Sequence, residues 1–174
     1  MKARTMPARL LLTVLAVSVL GACATRLDVP GELRPPAGQE LVLQLHADGY
    51  QIYDCAAAPN GGYAWKFRAP EATLRDGSGK LMGDHYAGPT WRAPDGSTAV
   101  GEVVARAPSR NPESIPQLLL SAKRGDGDGV FSKVKSVQRL DTAGGQQPAT
   151  GCSSATDLAR VARVPYTATY AFFQ

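Results

Sequence analysis

After residue 39 no stretch of this sequence runs far without a turn signal. Pro59-Asn60-Gly61-Gly62, Asp76-Gly77-Ser78-Gly79, Asp95-Gly96 and Gly125-Asp126-Gly127-Asp128-Gly129 divide it into short apolar runs. Glycine adopts positive φ without a steric penalty, and Asn and Asp bond to nearby backbone, so such clusters reverse the chain. Strand-length runs fall at residues 40–45, 50–55, 63–68, 98–106, 115–123, 130–140 and 164–173. The last alternates most clearly, with Val164, Tyr166, Ala168, Tyr170 and Phe172 on one face, the period of a half-buried strand. Pro165 suits a strand start or an edge. Only residues 154–161 admit a helical turn, with Ser154 and Asp157 spaced as a capping box. The expectation is an all-β fold: a single-domain antiparallel β-sandwich or barrel with short loops and at most one short helix.

The first residues have a different character. Lys2, Arg4 and Arg9 precede an apolar run from Leu10 to Leu20 with no acidic residue among them. The run is shorter than the roughly 20 residues a membrane-spanning helix needs, so it reads as a secretory signal. Leu20-Gly21-Ala22-Cys23 resembles a lipobox, the processing sequence of bacterial lipoproteins. That resemblance implies residues 1–22 as a signal peptide, diacylglycerol on Cys23, and usually acylation of its amino group, the source of a palmitate expectation. Ala24 stands where inner-membrane lipoproteins often carry Asp, so the resemblance implies the periplasmic face of the outer membrane. The membrane is then a partner through the lipid on Cys23, because two or three chains hold firmly where one is marginal. Residues 23–38, with three prolines after Val29, read as a tether reaching roughly 40 Å if semi-extended. Residues 39–174 are then the domain.

Three of the 19 Lys and Arg residues lie in the leader against none of the 15 Asp and Glu, so the remainder is close to neutral. No basic footprint for nucleic acid is left. With Cys23 assigned to lipid, Cys55 and Cys152 are a candidate disulfide for an oxidising compartment, with two free thiols as the alternative. Such a bond would stabilise by roughly 4–5 kcal/mol on chain-entropy grounds.

Several blocks recur in a recognisable order. Tyr50-Gln51-Ile52-Tyr53-Asp54-Cys55 and Pro70-Glu71-Ala72-Thr73-Leu74 precede Gly83-Asp84-His85-Tyr86-Ala87-Gly88-Pro89-Thr90-Trp91. Ile115-Pro116-Gln117-Leu118-Leu119-Leu120, Val137-Gln138-Arg139-Leu140, Thr142-Ala143-Gly144-Gly145 and Val164-Pro165-Tyr166-Thr167-Ala168 follow. Together they resemble the uncharacterised domain-of-unknown-function family DUF3455 from about Pro30 to Phe173, with Gln117 where that family is expected to carry Trp. The resemblance implies a relative without a reaction.

Asp84, His85, Tyr86 and Trp91 are the candidate ligand-binding residues, a polar and aromatic group between glycines in a segment, 83–91, that reads as a loop. His85 fits a ligand contact, a general base oriented by Asp84, or a ring that bonds to backbone and fixes the turn. No residue is assigned a catalytic role, and no cofactor or metal is expected. His46 and His85 are the only histidines, too few for a closed zinc site with the cysteines committed. Counting from Asp126 puts Val137 where an EF-hand loop needs its bidentate acid. No phosphate-cradling glycine motif occurs, and Ser97 lacks a nucleophile elbow. The leading expectation is a lipid-anchored envelope module that binds a small molecule without catalysis. The alternatives are a module that binds an envelope protein, such as a lysozyme inhibitor, and an enzyme using His85.

Overall fold

The computed structural model describes residues 29–174 except Asn60. The leader, Cys23 and the first part of the tether lie outside the described residues. Eight strands form one antiparallel meander: β1 (Leu41–Ala57), β2 (Tyr63–Arg75), β3 (Leu81–Tyr86), β4 (Thr90–Arg92), β5 (Thr98–Ala107), β6 (Gln117–Arg124), β7 (Ser136–Gly144) and β8 (Val161–Phe173). Each pairs with the next, and β8 pairs with β1 to close a barrel. Closure gives each strand two neighbours and so reduces the hazard of an open antiparallel sheet, although residues 63–71 of β2 and 161–165 of β8 pair on the β1 side alone. Among the described residues the only helical pieces are two 3-10 turns, Gly31–Leu33 and Ala155–Asp157. The second carries the capping box of Ser154 and Asp157.

Residues 40–45 and 50–55, expected as two strands, are parts of the single strand β1. Its register against β2 shifts between Ile52 and Tyr53, a bulge that bends a long strand around the barrel. The segment 83–91, expected as a loop, is instead the hairpin of β3 and β4, where His85 faces Trp91 and Asp84 faces Arg92 across the ladder. Its glycines hid a short strand pair from period counting. β7 begins only at Ser136, because Val130–Lys135 is committed to a plug at one barrel end. Pro165 lies within β8, just beyond Tyr166, whose partner Gly144 ends the pairing with β7. It sits where β8 still pairs with β1 but no longer with β7, the edge setting expected of it.

Inward positions carry Leu45, Ala47, Leu74, Trp91, Ala99, Leu120, Val137, Ala168, Tyr170 and Phe172, the main core. Outward positions include His46, Asp48, Glu71 and Arg92, all exposed, the reverse of a lipid-facing barrel wall. Gly101 opens room for the indole, since a Cβ there would meet the Trp91 ring at 2.8 Å. Phe131 packs against Phe172, with ring centroids 4.9 Å apart and planes tilted by 37°, and closes one end. Its segment is held by the Asp95-Gly96-Ser97 turn: the Asp95 carboxylate accepts from Ser97 N, Ser97 Oγ and Val130 N, and Ser97 Oγ accepts from Phe131 N at 3.1 Å.

A second, smaller cluster lies outside the wall. Leu33, fully buried, packs with Ala107, Leu119 and Leu140, joined by Val29 and Ala105. Gln138 Nε2 donates to the Leu33 carbonyl at 2.6 Å, and Ser136 Oγ donates to Gln39. Within the segment expected as a tether, residues 29–38 thus follow the barrel wall toward β1. Cys55 and Cys152 form a disulfide across Cα atoms 5.4 Å apart. It ties the long 145–160 connection to β1, helped by Trp65 Nε1 donating to the Thr150 carbonyl at 2.9 Å.

Candidate functional site

Strand alternation divides the four candidate residues between two surfaces. Side chains at successive positions of a strand point to opposite faces. His85, on β3, therefore points into the barrel while Asp84 and Tyr86 point out. The Asp84 carboxylate accepts from Arg92 Nη2 at 3.0 Å, and the Arg92 guanidinium lies over the Tyr86 ring. Trp91 points inward beside His85 and is fully buried. Asp84 thus has no access to the His85 ring.

His85 is 2 % exposed. Its Nδ1 lies 2.9 Å from the Thr90 carbonyl. A carbonyl only accepts, so Nδ1 carries the proton and Nε2 is left as the acceptor. The ring stacks on Trp91, with centroids 4.8 Å apart and planes 9° apart, and meets Tyr170 edge-on. Burial drives its pKa down to about 3, and the Arg139 charge adds to that lowering against the opposing bond to Thr90. The imidazole is neutral across the physiological range.

This aromatic group floors a cavity of about 580 Å³ at the end of the barrel away from Phe131. That volume lies within the range of small-molecule sites, roughly 300–1,000 Å³. The wall is mostly apolar: Phe67, Pro70, Pro89, Val103, Ile115, Leu118 and Leu120. Phe67 stands 48 % exposed at the mouth, with Arg68 and Arg106. Arg68 is paired there with Asp54. Tyr53 donates to the Gly145 carbonyl at 2.6 Å. Gly145 takes φ +81°, and a Cβ on it would press on Tyr166, Gln51 and Ile115.

The interior polar groups are the unusual part of the cavity. Arg139, on β7, is only 9 % exposed. Its Nε and Nη2 donate to the Pro116 carbonyl at 3.2 and 2.9 Å, and it makes no ion pair among the described residues. Gln51 Nε2, Trp91 Nε1 and Tyr170 OH at the cavity, and Tyr166 OH next to them, are buried without a partner in full hydrogen-bond geometry. Gln51 lies near the Tyr166 hydroxyl, and Tyr166 and Arg139 lie near that of Tyr170. Burial pushes the Tyr166 and Tyr170 phenols above their ordinary value, so both remain protonated. No Asp or Glu lines the cavity.

Sequence reading placed His85 and Trp91 in the site and missed Gln51, Tyr170 and Arg139. The alternation of β8 already put Tyr170 on the buried face. Arg139 stands between Gln138 and Leu140, both also buried because the 29–38 segment covers the outer wall, so parity did not reveal which face the guanidinium takes. Gln117, where an aromatic was expected, is buried and donates to the Pro108 carbonyl at 3.1 Å, bracing the 108–116 connection.

Fold and cavity together define the class: an eight-stranded up-and-down antiparallel barrel with a small-molecule-sized cavity in one end. The chain matches the family described as protein of unknown function (DUF3455) over residues 36–174 and belongs to it. No curated protein and no solved structure matches it.

Proposed function

We propose that this is a lipid-anchored binding barrel of the cell envelope, which holds a small, largely apolar molecule in its open end and performs no reaction on it. The observation that carries the reading is the cavity itself: an apolar space floored by Trp91, His85 and Tyr170. Eight-stranded barrels are wide enough either to fill with side chains or to hold one small ligand, and this one fills only one end. Against catalysis, His85 is neutral and bonded to backbone, and Asp84 lies on the other side of the wall.

Anchoring fits the same geometry. Val29 packs on the outer cluster of Leu33, Ala107, Leu119 and Leu140, which takes in the end of β5 that carries the mouth residue Arg106. Residues 24–28 alone separate it from Cys23, a reach of about 20 Å at full extension. A lipid on Cys23 holds the mouth, rather than the plugged end, near the bilayer, where amphiphilic molecules are available. The test is titration of the purified full-length chain with the neutral dye N-phenylnaphthylamine. Saturable fluorescence enhancement that disappears in Val103→Trp, a variant that fills the cavity, supports the reading. An equal response from both proteins, or none from either, refutes it.

A further inference from the structure

The chemistry of the cavity goes further than its shape. Among the residues that line it, three buried polar atoms lack a partner in full hydrogen-bond geometry, and all three belong to donors: the Gln51 amide nitrogen, the Trp91 indole and the Tyr170 hydroxyl. Beside them lies Arg139, a permanent cation with no carboxylate opposite it. A guanidinium has five N–H donors, and the Pro116 carbonyl takes only those on Nε and Nη2. Its charge reaches His85, Tyr53, Tyr166 and Tyr170. Buried donors and buried charges are ordinarily satisfied. A site rich in unmatched donors and positive charge is complementary to an anion with several acceptor lone pairs.

We infer that the barrel takes an amphiphile with an oxyanion head group, its carboxylate or equivalent seated against Arg139 and its apolar body along the Phe67–Val103–Leu118 wall. The inference rests on the cavity-binding reading above and specifies its ligand. A planar guanidinium suits a planar carboxylate, and the Tyr170 hydroxyl and Gln51 amide supply further donors. A cationic head group meets Arg139 with no acid to offset it. A head group without charge leaves the cation as unmatched as it is in the empty site.

The experiment measures displacement of N-phenylnaphthylamine from the full-length chain by octanoate, decanoate and dodecanoate, by the matched alcohols, by decyltrimethylammonium and by inorganic phosphate. Charge-assisted hydrogen bonds predict carboxylates binding about tenfold to a hundredfold more tightly than the alcohols. The ammonium should fail to displace. In Arg139→Gln the carboxylate-to-alcohol ratio falls to near one, and Arg139→Lys retains part of it. Equal affinity for carboxylate and alcohol in the unaltered protein overturns the inference while leaving the cavity reading standing. So does a preference that survives in Arg139→Gln. Inorganic phosphate displacing as strongly as decanoate overturns the amphiphile and leaves a free-anion site. A dye that never binds removes the cavity reading and this inference together. Because the first comparison uses the unaltered protein, a variant that fails to fold does not spoil it.

Discussion

The two ends of the barrel solve the same problem in opposite ways. At the plugged end, buried polar groups are matched: Ser97 donates through N and Oγ to Asp95 and accepts from Phe131 N, and Ser136 donates to Gln39. At the open end, Gln51, Trp91, Tyr166 and Tyr170 carry unmatched donors around a cation. Both ends are made by the same strands, so the difference does not come from a poorer scaffold. On the proposed reading the plugged end is built for stability, while the open end keeps groups available to a ligand. A buried unsatisfied polar atom costs roughly 1–3 kcal/mol, and several together are hard to retain for packing alone.

The comparison breaks most directly at Phe131. Phe131→Ala removes the ring that closes the plugged end and leaves Phe172 without the ring packed against it. The expected loss is about 3–5 kcal/mol in urea unfolding of the full-length chain. A loss under about 1 kcal/mol would mean that the plug is dispensable and the two ends are less different than they look.

Next in size is the pH dependence set by His85. Its folded pKa, about 3, is depressed below the ordinary unfolded value of about 6.5. The unfolded chain therefore binds the proton more readily, and stability falls as pH drops from 6.5 toward 3. Between pH 7 and pH 5 the loss attributable to this ring is roughly 2 kcal/mol. Asp54, Glu71, Asp76, Asp95 and Asp157 have lowered values. Their stabilisation is present above the unfolded carboxylate range and lost below it, under about pH 4.5, outside this window. Unfolding free energies at pH 7 and pH 5 for the natural protein and His85→Phe, which keeps the stack on Trp91, isolate the effect. Equal pH slopes for the two proteins would show that the ring is not held neutral.

These expectations also mark what the sequence could and could not reveal. Turn clusters and the alternation of β8 were sufficient for the all-β class, because glycine and Asx turns act locally. Barrel closure was not legible, since it depends on β1 and β8 meeting at opposite ends of the domain. The hairpin of β3 and β4 was obscured because Gly83 and Gly88 interrupt the apolar pattern that marks a strand. His85 and Trp91 were found as an unusual local group, yet Asp84 and Tyr86 joined them only while the segment was taken for a loop. Once it is a strand, alternation sends neighbours to opposite faces. Arg139 escaped for a different reason: its charge lies on a strand whose two faces are both buried, one by the barrel and one by Leu33.

The smallest expected effect gives the sharpest contrast, because it compares removal of one hydroxyl at each end. Ser97→Ala leaves Phe131 N without its acceptor, and the expected loss is about 1–3 kcal/mol. Tyr170→Phe removes a buried hydroxyl that has no partner in full hydrogen-bond geometry, although Tyr166 and Arg139 lie near it, and keeps the ring against His85 and Trp91. Stability should stay within about 0.5 kcal/mol or rise, since deleting an unmatched polar atom relieves a desolvation penalty. Decanoate displacement by the same variant should weaken by about threefold to tenfold, the worth of one hydrogen bond to a charged group. A hydroxyl that costs stability and returns affinity is a binding group. If Tyr170→Phe instead destabilises as much as Ser97→Ala, the hydroxyl is structurally satisfied and the open end is another closed core.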